Sequence, residues 1–122
     1  RGTKAKIAEK FVQKIIAMGQ KPEDWVAALG PSIGPCCYEV SEELIIDFKK
    51  TFSNIDPDIL NPTTRKLDLQ AVNVQELERM GLKEFDLIDK CTYCELDDKG
   101  ARFHSFRREG EGTRQYSIIT RV

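Results

Sequence analysis

Apolar residues recur at helical spacing from the beginning of the chain. Within residues 4–18, Ile7, Phe11, Val12, Ile15 and Ile16 share one face, and Gly19 supplies a stop. The spacing predicts an amphipathic helix with Thr3 as its cap. Lys6, Lys10 and Lys14, four apart on the other face, read as a solvated stripe before they read as a phosphate site. Pro22 to Asp24 predict a turn, and "WVAALG" is an apolar run of strand length leading into the glycine–proline loop of "LGPSIGPCCYEV".

Beyond that loop Ser41 predicts a second helix. Glu42 and Glu43 match the positive end of its dipole, Lys49 and Lys50 match the negative end, and Leu44, Ile45 and Phe48 form the face to be buried. Residues 53–66 hold two prolines and many turn formers and predict a surface loop. A third helix follows in "LDLQAVNVQELERMG", capped by Asp68, apolar at Leu69, Val72, Leu77 and Met80, and closed by Gly81. "EFDLID" alternates as a strand does, "CTYC" follows it, and "ELDDKG" predicts a turn. "ARFHSF" and "QYSIITRV" read as strands joined by the arginine- and glycine-rich "RREGEGTR". Helices and strands interleave without a strict βαβ rhythm, which predicts an α+β fold: one domain over residues 1–122, with a mixed sheet packed against about three helices.

Composition narrows the function classes. The 122 residues are 40% apolar and 32% charged, enough for one ordinary core. Nineteen basic against twenty acidic residues leave a net charge of -1, so no global field draws the chain to nucleic acid or to an anionic membrane. No apolar run approaches the ~20 residues of a bilayer crossing. The expected setting is cytoplasmic, with the four cysteines as thiols. Arg1 stands where an initiator methionine would, which predicts a sequence taken from something longer.

Three constellations carry candidate chemistry. Cys91 and Cys94 have the spacing of half a zinc site, but the remaining thiols are the neighbours Cys36 and Cys37, whose side chains rarely aim at one ion. The residues therefore read as buried, unreactive thiols and no metal ligand is expected among them, with a zinc-stabilised interaction module as the alternative. His104, the single histidine, reads as a packing residue in an aromatic run. The arginines say more. Arg107, Arg108 and Arg114 bracket a loop holding Gly110 and Gly112, where guanidiniums and bare amides converge on an anion, and Arg1 precedes a helix N-terminus.

In order and spacing, "GPSIGPCCYEV", "LDLQAVNVQEL" with Gly81, and "CTYC" followed by "FHSFRREGEGTRQYSII" resemble the C-terminal half of the laccase-domain family. This family was first called multicopper polyphenol oxidases, and its members are now regarded as purine nucleoside phosphorylases with adenosine deaminase and methylthioadenosine phosphorylase activities. The resemblance covers the whole chain and implies part of a larger α/β sandwich domain. In the family a His-Ala-Gly-Trp sequence stands immediately before Arg-Gly-Thr, matching Arg1-Gly2-Thr3 here. It therefore implies that the zinc or copper ligands and catalytic residues lie upstream, that none of them falls on this chain, and that residues 1–122 alone are catalytically inert.

What carries over is a supporting wall. Arg1, Ser105, Arg107, Arg108 and Arg114 match family elements near the cleft and are the expected binding residues for phosphate, as co-substrate, or for a purine nucleoside. His104 and Phe106 depart mildly, since an aromatic and a tyrosine are usual there. Copper-dependent phenol oxidation, implied by the older family name, needs several histidines where the chain has one.

Overall fold

A computed structural model of the protein describes residues 1–110, 116 and 118–120. Three long helices coincide with the three periodic segments: α1 (Ile7–Ala17), α2 (Glu42–Thr51) and α4 (Leu69–Arg79), with a short α3 (Pro57–Leu60) and α5 (Phe106–Glu109). Strands β1 (Val26–Leu29) and β2 (Glu84–Leu87) pair in parallel, Val26 opposite Glu84 and Leu29 opposite Leu87. Strands β3 (Leu96–Asp97) and β4 (Gly100–Ala101) form a separate antiparallel hairpin. The parallel pair is joined by a crossover holding α2, α3 and α4, so mixed α/β architecture is realised with one βαβ-like unit at its centre.

The caps explain where the helices lie. Ser41 Oγ accepts from the Leu44 amide at 3.3 Å and starts α2. Asp68 Oδ1 does the same for Ala71 at 2.9 Å and starts α4. Asp56 with Pro57 at the first helical position starts α3 inside the segment expected to be loop throughout. The start of α1 differs from expectation. Residues 1–6 form turns, with Ala5 and Lys6 amides donating to the carbonyls of Arg1 and Thr3, and Lys6 at φ 53° precedes the helix. Thr3 is not the cap; its Oγ1 instead accepts from Asn73 at 3.3 Å, tying the chain start to α4. Of the expected strand at "ARFHSF" only Ala101 is in a strand; residues 102–105 are irregular and α5 starts at Phe106. Of the second expected strand, "QYSIITRV", residues 115, 117, 121 and 122 lie outside the described residues, and the described ones, 116 and 118–120, are irregular.

Two apolar clusters make the core, and α4 contributes to both. Val40, Ile45, Phe48, Phe52, Ile55, Leu60, Leu67 and Val72 form one; Val12, Ile15, Leu77 and Leu82 form the other. Between Val72 and Leu77 stands Glu76, only 2% exposed. Its carboxylate accepts from Asn54 Nδ2 at 3.1 Å and from Arg79 Nε at 3.4 Å, with Lys6 Nζ at 3.9 Å. Burial raises its pKa, but Asn54, Arg79 and Lys6 together outweigh burial and hold it below the usual carboxylate range.

Because the folded value is depressed, the stability this group contributes is complete above its ordinary value of 4.5 and is lost as pH falls through the lower folded value. Glu76→Gln is expected to cost about 1–3 kcal/mol near neutral pH. Urea unfolding of both proteins at neutral and acid pH checks this: the gap should narrow on acidification, and a pH-independent gap would contradict the ionised network.

Candidate functional site

Because β1 and β2 run parallel, their carboxyl ends open on one side, where sites in parallel sheets commonly form. The pairing continues beyond both strands as a bridge between Ser32 and Cys91, with the Thr92 amide donating to the Ser32 carbonyl at 3.0 Å. This sets two tight turns side by side. In the first, the amides of Cys37 and Tyr38 both donate to the Gly34 carbonyl, at 3.0 and 2.9 Å. In the second, the Glu95 amide donates to the Cys91 carbonyl at 3.1 Å.

The four sulfurs of Cys36, Cys37, Cys91 and Cys94 consequently lie within 4.8 Å of one another. Cys36 and Cys94 Sγ are 3.8 Å apart, no pair is bonded, and the Gly34 amide donates to Cys91 Sγ at 3.4 Å. The expectation of buried thiols is thereby corrected: Cys36 and Cys94 are exposed and the other two half-buried. Neighbouring side chains diverge along an extended backbone. In the turn after Gly34 and Pro35 those of Cys36 and Cys37 both reach the second turn.

The environment separates the thiols. Burial raises Cys91, but backbone amides of Gly34, Cys94 and Tyr93 stabilise its thiolate and bring it down to about 6. Cys36 and Cys37 are pushed up, chiefly by burial and then by neighbouring thiols. Beside the cluster a cavity of about 230 Å³ is lined by Ser32, Gly34, Asp68, Gln70, Asp89 and Cys91, among others. Gln70 Nε2 is buried with no hydrogen-bond partner among the described residues, leaving a donor for a ligand acceptor.

The arginines divide sharply. Arg108 is consumed by the protein: its guanidinium donates to the carbonyls of Thr92, Tyr93 and Phe103 and to Glu109 Oε1. Arg107 is exposed, donates Nη1 to the Glu39 carbonyl at 3.0 Å, and lies 5.2 Å from the Tyr38 ring centroid. Its fork is held at one end and open to solvent at the other. Ser105 is 5% exposed and gives its backbone amide to Glu109 Oε2 at 3.1 Å. Arg1 is exposed at the far end of the chain, and no hydrogen bond or ion pair among the described residues joins it to α5. Arg114 lies outside the described residues. His104, read as a packing residue, is instead largely exposed, with Nδ1 3.5 Å from Glu109 Oε2.

Sequence reasoning missed the partners that sort these arginines, Tyr38, Glu39 and Glu109. The position of the first two, directly after the paired cysteines, was the available signal. It also missed an apolar cleft of about 590 Å³ between α1 and β1, bordered by Gly2, Ile7, Phe11, Trp25 and Val26.

The chain matches the family described as multi-copper polyphenol oxidoreductase laccase over residues 1–122, and it belongs to that family. It is 34% identical over 115 residues to adenosine deaminase RL5 of an unknown prokaryotic organism, covering 90% of this chain and 42% of that protein. It is 30% identical over 120 residues to purine nucleoside phosphorylase YfiH of Shigella flexneri, covering 98% of this chain and 46% of that one. Among solved structures, the hypothetical protein YfiH of Bacillus licheniformis superposes with a TM-score of 0.74 at 31% identity, over 88% of this chain and 41% of that chain. The chain therefore spans less than half the length of these relatives.

The family description implies copper, and the donors present do not fit a copper oxidase centre. Such centres rest on several imidazoles, whereas the one histidine is exposed beside Glu109 and, among the described residues, the clustered donors are all sulfur. Among the described residues no helix is long and apolar enough to cross a membrane.

The division between the arginines makes a stability prediction. Arg108→Ala strips bonds from three carbonyls and is expected to cost about 1–3 kcal/mol. Arg107→Ala loses one backbone bond and an exposed ring contact, and is expected to cost less than about 1 kcal/mol. Thermal unfolding of the two variants measures the difference, and equal losses would contradict the assigned roles.

Proposed function

We propose that the protein containing this chain is a purine nucleoside phosphorylase acting on adenosine, inosine, guanosine and methylthioadenosine, with adenosine deaminase activity, in the cytoplasm. The observation that carries this reading is the match over nine-tenths or more of the chain to proteins named for those two activities. In phosphorolysis the bond from the sugar anomeric carbon to the purine nitrogen breaks, a phosphate oxygen bonds to that carbon, and the purine leaves. Charge develops toward a ribosyl cation while a dianion approaches, so the protein must hold phosphate in register without quenching it.

Within this chain Arg107 is the group suited to that task. A planar guanidinium presents paired donors that match a phosphate edge, and the Tyr38 ring and Glu39 carbonyl fix its orientation while leaving donors outward. Arg108 is a positioning residue: it fastens α5 to the turn carrying Thr92 and Tyr93 and so sets where Arg107 stands. Ser105 aids by anchoring the start of α5 to Glu109. Gln70 offers its free donor to a base or sugar acceptor. Arg1 and Arg114 are assigned to the same anion-binding role on the strength of the family elements they match. Deamination requires an activated water; a zinc or copper ion held by residues upstream of this chain would supply it, and this chain contributes binding surface.

In the full-length protein, Arg107→Ala is expected to raise KM for phosphate about tenfold, equivalent to ~1.4 kcal/mol of binding, with a smaller change in deamination. Initial rates of phosphorolysis of adenosine and inosine at varied phosphate decide it. Unchanged kinetics on both nucleosides would remove Arg107 from the site.

A further inference from the structure

We infer that Cys36, Cys37, Cys91 and Cys94 together bind one zinc ion, as a closed structural site that knots the turn after β1 to the turn after β2. A tetrahedral zinc with Zn–S bonds of about 2.3 Å separates its sulfurs by about 3.8 Å along each edge. The Cys36–Cys94 separation is 3.8 Å, and all six pairs lie within 4.8 Å without any being bonded. Four sulfurs so close together fit a single ion. An iron–sulfur cluster places inorganic sulfide between its metals and spreads the cysteine sulfurs further apart.

The surroundings are those of a ligand set rather than of four packed side chains. The Gly34 amide points at Cys91 Sγ from 3.4 Å, the outer hydrogen bond that steadies a ligating thiolate. Cys36 and Cys94 reach the surface, which gives an ion an entry path. Four ligands leave no open position, so the role is structural rather than catalytic. The knot is far from local in sequence, since the Gly34–Cys91 contact spans 57 positions.

The same knot governs the arginine turn. The carbonyls of Thr92 and Tyr93 that hold Arg108 lie between Cys91 and Cys94, and Tyr38, under Arg107, follows Cys37 directly. Zinc therefore fixes both anchorages of α5. This last step rests on the proposed role of Arg107, but the zinc site does not, and its test does not use activity.

The full-length protein, purified under reducing conditions, is analysed for metal beside the double variant Cys36→Ser/Cys94→Ser. The wild type is expected to hold one zinc per chain more than the variant. Its cobalt-substituted form is expected to show thiolate-to-cobalt charge-transfer bands that the variant loses. Equal zinc in both proteins, iron in place of zinc, or a mass two hydrogens lighter from a disulfide within the four would each overturn the proposal. Should the variant fail to fold, alkylation of the wild type mapped by peptide mass gives the answer. All four cysteines should resist alkylation together until a strong chelator is added, and chelator-independent labelling of Cys36 and Cys94 would overturn the site.

Discussion

A single buried carboxylate connects the two halves of this molecule. Glu76 sits on α4 between Val72, which belongs to the larger apolar cluster, and Leu77, which belongs to the smaller. An ionised group in that position is unfavourable unless several donors satisfy it. Asn54 reaches it from the segment after α2, Lys6 from the turn before α1, and Arg79 from its own helix while also holding Glu9 of α1. The geometry of α1 against α4, and of both against the loop after α2, is therefore set by where Glu76 can be neutralised. Lys6, in the left-handed conformation, places its ammonium near both Glu9 and Glu76, so a lysine read as part of a solvated stripe serves as a half-buried counter-ion.

From that frame the strand ends follow. With α4 fixed, Leu82 and Phe85 lead β2 alongside β1, and the parallel register brings Ser32 to Cys91. Two turns then meet, one built on a glycine–proline loop and one on a Cys-x-x-Cys spacing. The arginine-bearing α5 is fastened to both of them by carbonyls rather than by opposite charges. Carbonyl anchorage orients a guanidinium without cancelling its charge. That is why Arg107 keeps a full positive charge on the surface while Arg108, bonded to Glu109 as well, does not present one.

Much of the framework was legible in the sequence because local chemistry dictates it. Ser41 and Asp68 cap the helices they were expected to cap, Gly19 and Gly81 end theirs with positive φ, and "WVAALG" and "EFDLID" form strands. Thr3 was misread because its hydroxyl meets Asn73, 70 positions away, instead of serving the local helix. The site was harder to see for the same reason. The arginine cluster could be found in the sequence, but which guanidinium faces solvent and which is bonded within the protein depended on carbonyls contributed by other segments. The cysteines were discounted by a rule about adjacent residues that holds for extended backbone and fails in the turn they occupy. Membership in the laccase-domain family was legible in motif order, since that needs no three-dimensional information.

The long crossover between β1 and β2 also dictates an order of assembly. Helix α3 packs on its chain neighbours α2 and α4, whereas the packing of α4 on α1 and the pairing of β1 with β2 each close a long loop, at an entropic cost that grows with loop length. The layer of α2, α3 and α4 can therefore form early, and the two turns meet only when the last long loop closes. By the same token the strand ends are the part that opens most readily without unfolding the rest. Cys36 and Cys94 already meet solvent, but oxidative attack on the half-buried Cys37 and Cys91 would proceed through a local opening, at a rate set by the β1–β2 seam rather than by the global stability of the protein.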